Sequence, residues 1–264
     1  MAIELYSIGT ELVLGQIQDT NAHWIAQQIL QIGGELRRVT MLRDVREEMS
    51  EALNSAVERE TSLILTTGGL GPTPDDMTVE VVASLIGAKS VVSEETIAEF
   101  RKRREMSEND PISEALTKMA IVPETAAVLQ NPAGWAPCIS VTHKTSTIMM
   151  MPGPPREMKA VFETHIQPLI AERYRSEVTT ARVYVSMFEA EVSPLMQKVM
   201  ERHTDVYLKA YVSLRKVDGS TMPVDLVSTS EDKADAEAEL QRATDYFQEL
   251  VVEAGKRFSL EDES

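Results

Sequence analysis

The chain has 264 residues, room for one large domain or two moderate ones. Its 43% hydrophobic and 26% charged content is that of an ordinary soluble globular protein, and a formal charge of −16 argues against general affinity for nucleic acid or anionic membrane. One cysteine, Cys138, excludes an intramolecular disulfide framework and a cysteine-rich zinc site, which leaves it as a small core residue.

The N-terminus carries no basic n-region and no long apolar run, and no stretch is apolar for long enough to span a bilayer, so a cytoplasmic protein is expected. Residues 3 to 8, with Ile3, Leu5 and Ile8 apolar, read as a buried first strand. After Asp19, Ala22, Ile25, Ala26, Ile29 and Leu30 recur at helical spacing, and Gly33 and Gly34 end that helix. Leu36 to Leu42 reads as a second strand. Glu48 to Arg59 reads as a second helix, with Met49, Leu53, Ala56 and Val57 on one face. A third strand, Leu63 to Leu65, breaks into Gly68, Gly69 and Gly71, and a helical pattern follows.

Residues 90 to 120 are predicted to be largely helical, and the run Arg101-Lys102-Arg103-Arg104 reads as a solvated helix face or a phosphate-attracting rim. Strands are expected at 136–141 and 146–151. The second leads through Met151-Pro152-Gly153-Pro154-Pro155 into a helix from Arg156, which Pro168 would bend or end. Met149 to Met151 are expected to be buried, as are Met196 and Met200.

Near residue 176 the pattern changes to strand (182–187), helix (191–202), two strands (206–214, 222–229) and helix (231–254). Lys216-Val217-Asp218-Gly219-Ser220 turns between the last two strands. The expected fold is therefore α/β, a doubly wound and mostly parallel sheet over 1–175, followed by a small α+β domain over 176–255 and an acidic tail over 256–264 whose end, Leu260 to Ser264, is expected to be disordered.

In a doubly wound sheet, ligands bind outside the carboxyl ends of the strands. Four segments are predicted to meet there: Gly9-Thr10-Glu11 with Asp19-Thr20-Asn21, then Asp44, then Gly68 to Gly71, then Pro152-Gly153. Glycines let a ligand approach backbone N–H groups closely, and the adjacent carboxylates Asp75 and Asp76 suit a divalent cation beside a phosphorylated ligand. A purely structural reading stands beside this one. Thr73 would cap the next helix, Pro74 would occupy its first position, and Asp75 and Asp76 would fill its first turn. A plain strand-to-helix turn needs one glycine where this one has three, which favours a ligand. The four histidines show no paired zinc spacing, and neither a Gly-x-Ser-x-Gly elbow nor a Walker lysine is present, so amides and metal would have to balance phosphate charge.

Gly9 to Ile17 with Asp19-Thr20-Asn21, Gly68 to Thr78, and Pro152 to Lys159 closely resemble the N-terminal domain of the competence/damage-inducible protein A (CinA) family. Ala120 to Pro123 and Asn131 to Pro137 are also similar to it, and the motifs occur in the same order over about residues 3 to 170. The resemblance implies a molybdenum-cofactor-biosynthesis-type fold and a KH-like second module. It also implies pyrophosphatase activity on nucleoside diphosphate compounds, with ADP-ribose giving AMP and ribose 5-phosphate. Longer family members carry a nicotinamide mononucleotide deamidase domain, which is not expected here. Two departures are Trp135 and Cys138, where the family usually has Thr and Gly. A third is Met187 to Glu191, which replaces a glycine-containing turn.

The leading expectation is metal-dependent hydrolysis of a pyrophosphate bond. Asp76, Asp44 and Asp75 are the catalytic candidates, and Asp76, Asp44 and Glu11 are the candidate ligands of a divalent cation (Mg2+, Co2+ or Mn2+), with K+ as a candidate second ion. Thr10, Glu11, Asn21, Gly68, Gly69, Leu70, Gly71, Thr73, Pro152 and Gly153 are the candidate substrate contacts. Alternatives are FAD hydrolysis, molybdopterin-type binding or adenylyl transfer, and a non-catalytic nucleotide-binding module. The expected partners are a nucleotide diphosphate and a second copy in a homodimer built partly through the first domain, with no nucleic acid and no membrane.

Overall fold

The structure, a computed structural model, describes residues 2–108, 110–173, 177–215 and 221–261. Two compact units divide the chain, Met1–Tyr174 and Arg175–Ser264.

The first unit alternates strand and helix. Its elements are β1 (Ala2–Ile8), α1 (Thr10–Val13), α2 (Thr20–Gln31), β2 (Glu35–Leu42), α3 (Arg46–Glu58), β3 (Leu63–Thr67) and α4 (Thr78–Ile86). There follow β4 (Ser90–Val92), α5 (Glu94–Arg103), α6 (Glu114–Met119), β5 (Ile121–Pro123), β6 (Ala127–Leu129), β7 (Cys138–His143), β8 (Ser146–Met151), α7 (Pro155–Val161) and α8 (Gln167–Arg173). The main sheet has the order β2-β1-β3-β8-β7-β6. β2, β1, β3 and β8 run parallel, whereas β7 and β6 are antiparallel additions at one edge.

Successive strand residues point to opposite faces, so a central strand must be apolar at every position to be covered twice. Ile64, Ile148 and Met150 accordingly join Met49, Leu53, Val81 and Val82 in one core. Leu63, Leu65, Met149 and Met151 join Ile25, Ile29, Met158 and Phe162 in the other.

Pro168 does not end its helix. A wider turn over Phe162–Ile166 precedes it, in which the Gln167 N–H reaches back to the Phe162 carbonyl, and the helix continues to Arg173. Proline supplies no N–H and its ring crowds the preceding carbonyls, so a widened turn just upstream absorbs it.

The second unit comprises β9 (Glu177–Val185), α9 (Glu189–Arg202), β10 (Val206–Ala210), β11 (Met222–Ser230), α10 (Lys233–Glu253) and β12 (Phe258–Ser259), with an antiparallel sheet in the order β10-β11-β9-β12. β10 and β11 pair as expected of a hairpin, while Lys216-Val217-Asp218-Gly219-Ser220 lie outside the described residues. Within the span expected as an acidic tail, Phe258–Ser259 form a strand. Phe258 and Ser259 pair with Val185 and Tyr184, and the Phe258 ring meets Phe247 edge-on at 6.0 Å, which holds this stretch in the sheet. Residues 262–264 lie outside the described residues. Among the described residues, no helix is long and apolar enough to cross a membrane.

Candidate functional site

Parallel pairing sets the carboxyl ends of β1, β2, β3 and β8 along one rim, and the loops leaving them are tied across it. The Gly9 N–H donates to the Leu42 carbonyl at 3.0 Å and the Gly68 N–H to the Met151 carbonyl at 3.0 Å. Gly68 has φ +97°, and a β-carbon there would lie 2.2 Å from the Ile8 carbonyl oxygen. Gly69 has φ +69°, and a β-carbon would lie 2.0 Å from the Thr78 hydroxyl. Both glycines are thus required by backbone conformation and by close approach.

Thr78 explains where the next helix begins. Its hydroxyl donates to the Gly68 carbonyl at 2.9 Å and its N–H to the Gly69 carbonyl at 3.1 Å. Helix α4 starts there, so Thr73 is not its cap, Pro74 is not its first residue, and Asp75 and Asp76 do not fill its first turn. Residues 73 to 76 form a separate turn instead, with the Asp76 N–H on the Thr73 carbonyl at 3.1 Å. The Asp76 carboxylate accepts from the Thr73 N–H at 2.8 Å and from the Thr73 hydroxyl at 2.6 Å. The same hydroxyl lies within hydrogen-bond reach of Asp75, its one proton shared between the two carboxylates, and this contact holds the Asp75 carboxyl below the usual carboxylate range.

Asp44 serves the turn after β1. One of its carboxylate oxygens accepts from the Thr10 N–H at 2.7 Å and from the Thr10 hydroxyl at 2.9 Å. Asn21 joins the fourth segment to the rim, its amide donating to the Gly153 carbonyl at 2.7 Å. Asp19 caps α2 with one oxygen, 2.9 Å from the Ala22 N–H. Its other oxygen and the Asn21 side-chain oxygen are buried without a hydrogen-bond partner among the described residues.

Two clefts meet at the Gly68–Gly153 ridge. One, of about 310 Å³, is walled by polar groups including Glu11, Gln18, Asp19 and Asn21. The other, of about 330 Å³, is walled by Leu70, Gly71, Met119, Trp135 and Pro152, with Asp76 at its edge. A narrow recess of about 20 Å³ behind the glycine loop is bounded by Gly69, Gly71, Asp76 and Lys118.

Residues 4–172 match the family model described as "Probable molybdopterin binding domain". A solved structure of CinA, of unknown function, from Thermoplasma acidophilum superposes with a TM-score of 0.58 at 30% identity, over 64% of this chain and 97% of that one. The chain belongs to the CinA family. A protein of Pyrobaculum calidifontis is similar along nearly its whole length, 32% identical over 94% of each chain. A "Putative competence-damage inducible protein" of Alkaliphilus oremlandii is 32% identical over 89% of this chain and 56% of its own length.

In this CinA-family rim the predicted segments come together, but their roles divide. Glu11, Asn21, Gly68 and Gly153 line the polar cleft, whereas Leu70, Gly71, Asp76, Pro152 and Gly153 line the apolar one. Among the described residues no group of three or more His, Cys, Asp or Glu side chains could hold a metal ion, so Asp76, Asp44 and Glu11 form no ready cage. Asp44, occupied by Thr10, lines neither cleft. A hard cation that keeps its waters and shares phosphate oxygens needs only one or two carboxylates, and Asp76 beside the Gly71 backbone fits that lesser demand.

Within the basic run the three arginines Arg101, Arg103 and Arg104 have partners. Arg103 donates to the Gly134 carbonyl and, at 2.8 Å, to the Asn131 carbonyl, and Arg101 binds the Ser107 and Asp110 carbonyls. Arg104 lies over the Trp135 ring, 5.0 Å from its centroid, and Phe100 meets that ring edge-on at 5.5 Å. Cys138 is fully buried, and burial pushes its thiol up to about 12, which removes it from nucleophilic chemistry.

Sequence reasoning missed Lys118. Its ammonium donates to the Thr73 carbonyl, 45 residues away in the chain, and no local pattern connects the two. The one available signal was its place beside Ala120 to Pro123, a segment already similar to the family.

With one face under Arg104 and its edge region against Phe100, Trp135 is a packing residue at the cleft wall. Trp135→Ala is expected to destabilise the first unit by roughly 2–4 kcal/mol, somewhat less than truncation of a fully buried ring. A thermal melt paired with a nucleotide titration on the same variant checks this. An unchanged melt with lost affinity would make the indole a ligand platform instead.

Proposed function

We propose that this CinA-family domain hydrolyses the pyrophosphate bond of a nucleoside diphosphate compound, with ADP-ribose giving AMP and ribose 5-phosphate. The observation that carries the reading is the pair of clefts of similar size meeting at the glycine ridge, one lined by Glu11, Gln18, Asp19, Thr20 and Asn21 beside apolar groups and the other by Leu70, Met119, Trp135 and Pro152 beside Asp76 and Glu157. A ligand with a hydroxyl-rich sugar at one end, a flat ring at the other and a diphosphate between them matches that division. Backbone N–H groups at Gly69 to Gly71 would meet the diphosphate, since a glycine turn of successive amides suits an anion.

Asp76, with Asp75 in support, would hold the divalent cation. When bound, the cation neutralises phosphate oxygens and lowers the pKa of a water. The other roles belong to side chains and backbone of this chain. Thr73 fixes the Asp76 carboxylate, and Asp44 holds Thr10 and with it the position of Glu11. Asn21 pins the Pro152-Gly153 turn, and Leu70, Met119 and Pro152 would keep water from one side of the reacting group.

A second reading is molybdopterin binding, which the family description favours. Purified protein incubated with ADP-ribose, and separately with FAD, in Mg2+, Mn2+ or Co2+ is expected to release AMP from ADP-ribose. No AMP under any metal, with molybdopterin alone giving a titratable complex, would replace hydrolysis by binding.

A further inference from the structure

A diphosphate at the Gly68–Gly153 ridge brings negative charge into walls that are already acidic. Glu11 and Asp19 line one cleft, Asp76 and Glu157 the other, and the chain as a whole carries −16. Amides and a single cation must work against these carboxylates. Among the described residues lining the two clefts and the recess behind the glycine loop, Lys118 is the only lysine or arginine.

Its setting suits a phosphate partner. Ser113 caps α6, its hydroxyl accepting from the Leu116 N–H, and Leu116 packs into the small core with Phe100 and Ala120. This anchors the stem of Lys118 so that its ammonium reaches the glycine loop from the side. There it donates to a neutral carbonyl, that of Thr73, in the same turn that holds Asp76. An ammonium has three donors and a flexible stem, so it can keep that bond and also meet a phosphate oxygen, or exchange one for the other.

We propose that Lys118 is the binding residue that neutralises the diphosphate, delivered by α6 from outside the glycine motif. This rests on the pyrophosphatase reading and names the charge partner that reading lacks. It also ties substrate to the metal turn. A phosphate drawn to Lys118 lies beside the Thr73–Asp76 turn, so anion and cation binding reinforce each other.

Two variants separate charge from scaffolding. Lys118→Ala removes both the charge and the donor to Thr73, whereas Lys118→Gln keeps an N–H donor and loses only the charge. Inorganic pyrophosphate is titrated calorimetrically with Mg2+ into wild type and both variants, and AMP release from ADP-ribose and thermal melts are recorded alongside. We expect pyrophosphate affinity to fall about 10- to 100-fold in both variants, Lys118→Arg to recover most of it, and the wild-type salt dependence to weaken in Lys118→Gln. Wild-type affinity in Lys118→Gln would reduce the residue to a prop for Thr73 and overturn the proposal. Wild-type affinity in all variants, with AMP release intact, would overturn it while leaving the pyrophosphatase reading in place. A wild-type protein that neither binds pyrophosphate nor releases AMP would remove both.

Discussion

Asp76→Asn should lower AMP release from ADP-ribose by on the order of 100-fold or more at saturating Mg2+, since it removes the charge that would hold the cation at the reacting phosphate. The fold should be untouched. Asparagine keeps an oxygen to accept from the Thr73 N–H and hydroxyl, now 2.8 and 2.6 Å from the carboxylate, so the turn persists and the thermal midpoint should move little. This makes the substitution a clean discriminator. A residue that merely closed the 73–76 turn would be served as well by asparagine, so turnover near wild type would return Asp76 to a structural role. Asp75→Asn is the internal comparison. Asp75 is exposed and held by the Thr73 hydroxyl, and the smaller loss should fall on it.

The second large effect lies at the opposite end of β1. Glu4 is only 4% exposed, and its carboxylate accepts from Tyr6 at 2.6 Å, from Thr61 at 2.9 Å and from Arg59 at 3.0 and 2.7 Å. Burial alone would raise its pKa, but the hydrogen bonds from Arg59, Tyr6 and Thr61 and the Arg59 charge outweigh it and hold the carboxyl at about 2. Because the folded value lies below the unfolded one, the network contributes fully above pH 4.5 and loses its contribution as pH falls from there through 2.

The shift corresponds to about 3 kcal/mol. Glu4→Gln should cost a similar amount at pH 7, about 3 kcal/mol, since it leaves Arg59 without its charge partner. In a unit of this size that is roughly 6–12 °C of melting temperature. Melts at pH 7 and at pH 2 should show the gap between wild type and variant closing in acid. A gap of constant size would mean that shape, not charge, does the stabilising. Ligand affinity at pH 7 should be unaffected, because Glu4 is at the amino end of the strand whose carboxyl end forms the rim.

Much of this was legible because the governing signals are local. Ala22, Ile25 and Ile29 repeat along α2, and the unbroken apolar runs of β3 and β8 announce strands covered on both faces. The glycine loop and the four rim segments followed from strand ends alone. The start of α4 did not. Thr73-Pro74-Asp75-Asp76 has every local mark of a helix start, yet Thr78 is held by the Gly68 and Gly69 carbonyls, and that tertiary contact decides where the helix begins. The Thr10 contact of Asp44 was hidden for a related reason. A carboxylate near a predicted rim reads as a metal ligand, and nothing local shows that one of its oxygens holds the Thr10 N–H and hydroxyl. Lys118 was invisible because its partner is 45 residues away. The last strand was hidden by the acidic residues that follow it, which drew attention from Phe258 and its contact with Phe247.

Trp135 sits in the connection between β6 and β7, at the antiparallel edge of the sheet, while the glycine ridge is built on the parallel strands in its middle. The connection is fastened from outside the ladder, by Arg103 on the Gly134 and Asn131 carbonyls and by Glu157 on the Asn131 amide at 2.7 Å. The registers of β1, β2, β3 and β8 therefore do not depend on its length or on the ring it presents. Substitutions within residues 130 to 137 would cost stability through Trp135 and Asn131, yet the strand registers beneath the glycine loop should keep their geometry. Under the proposed function, reaction and selectivity would thus fall to separate parts: the first to the centre of the sheet, the second to a packed border segment where the ring accepted could be retuned.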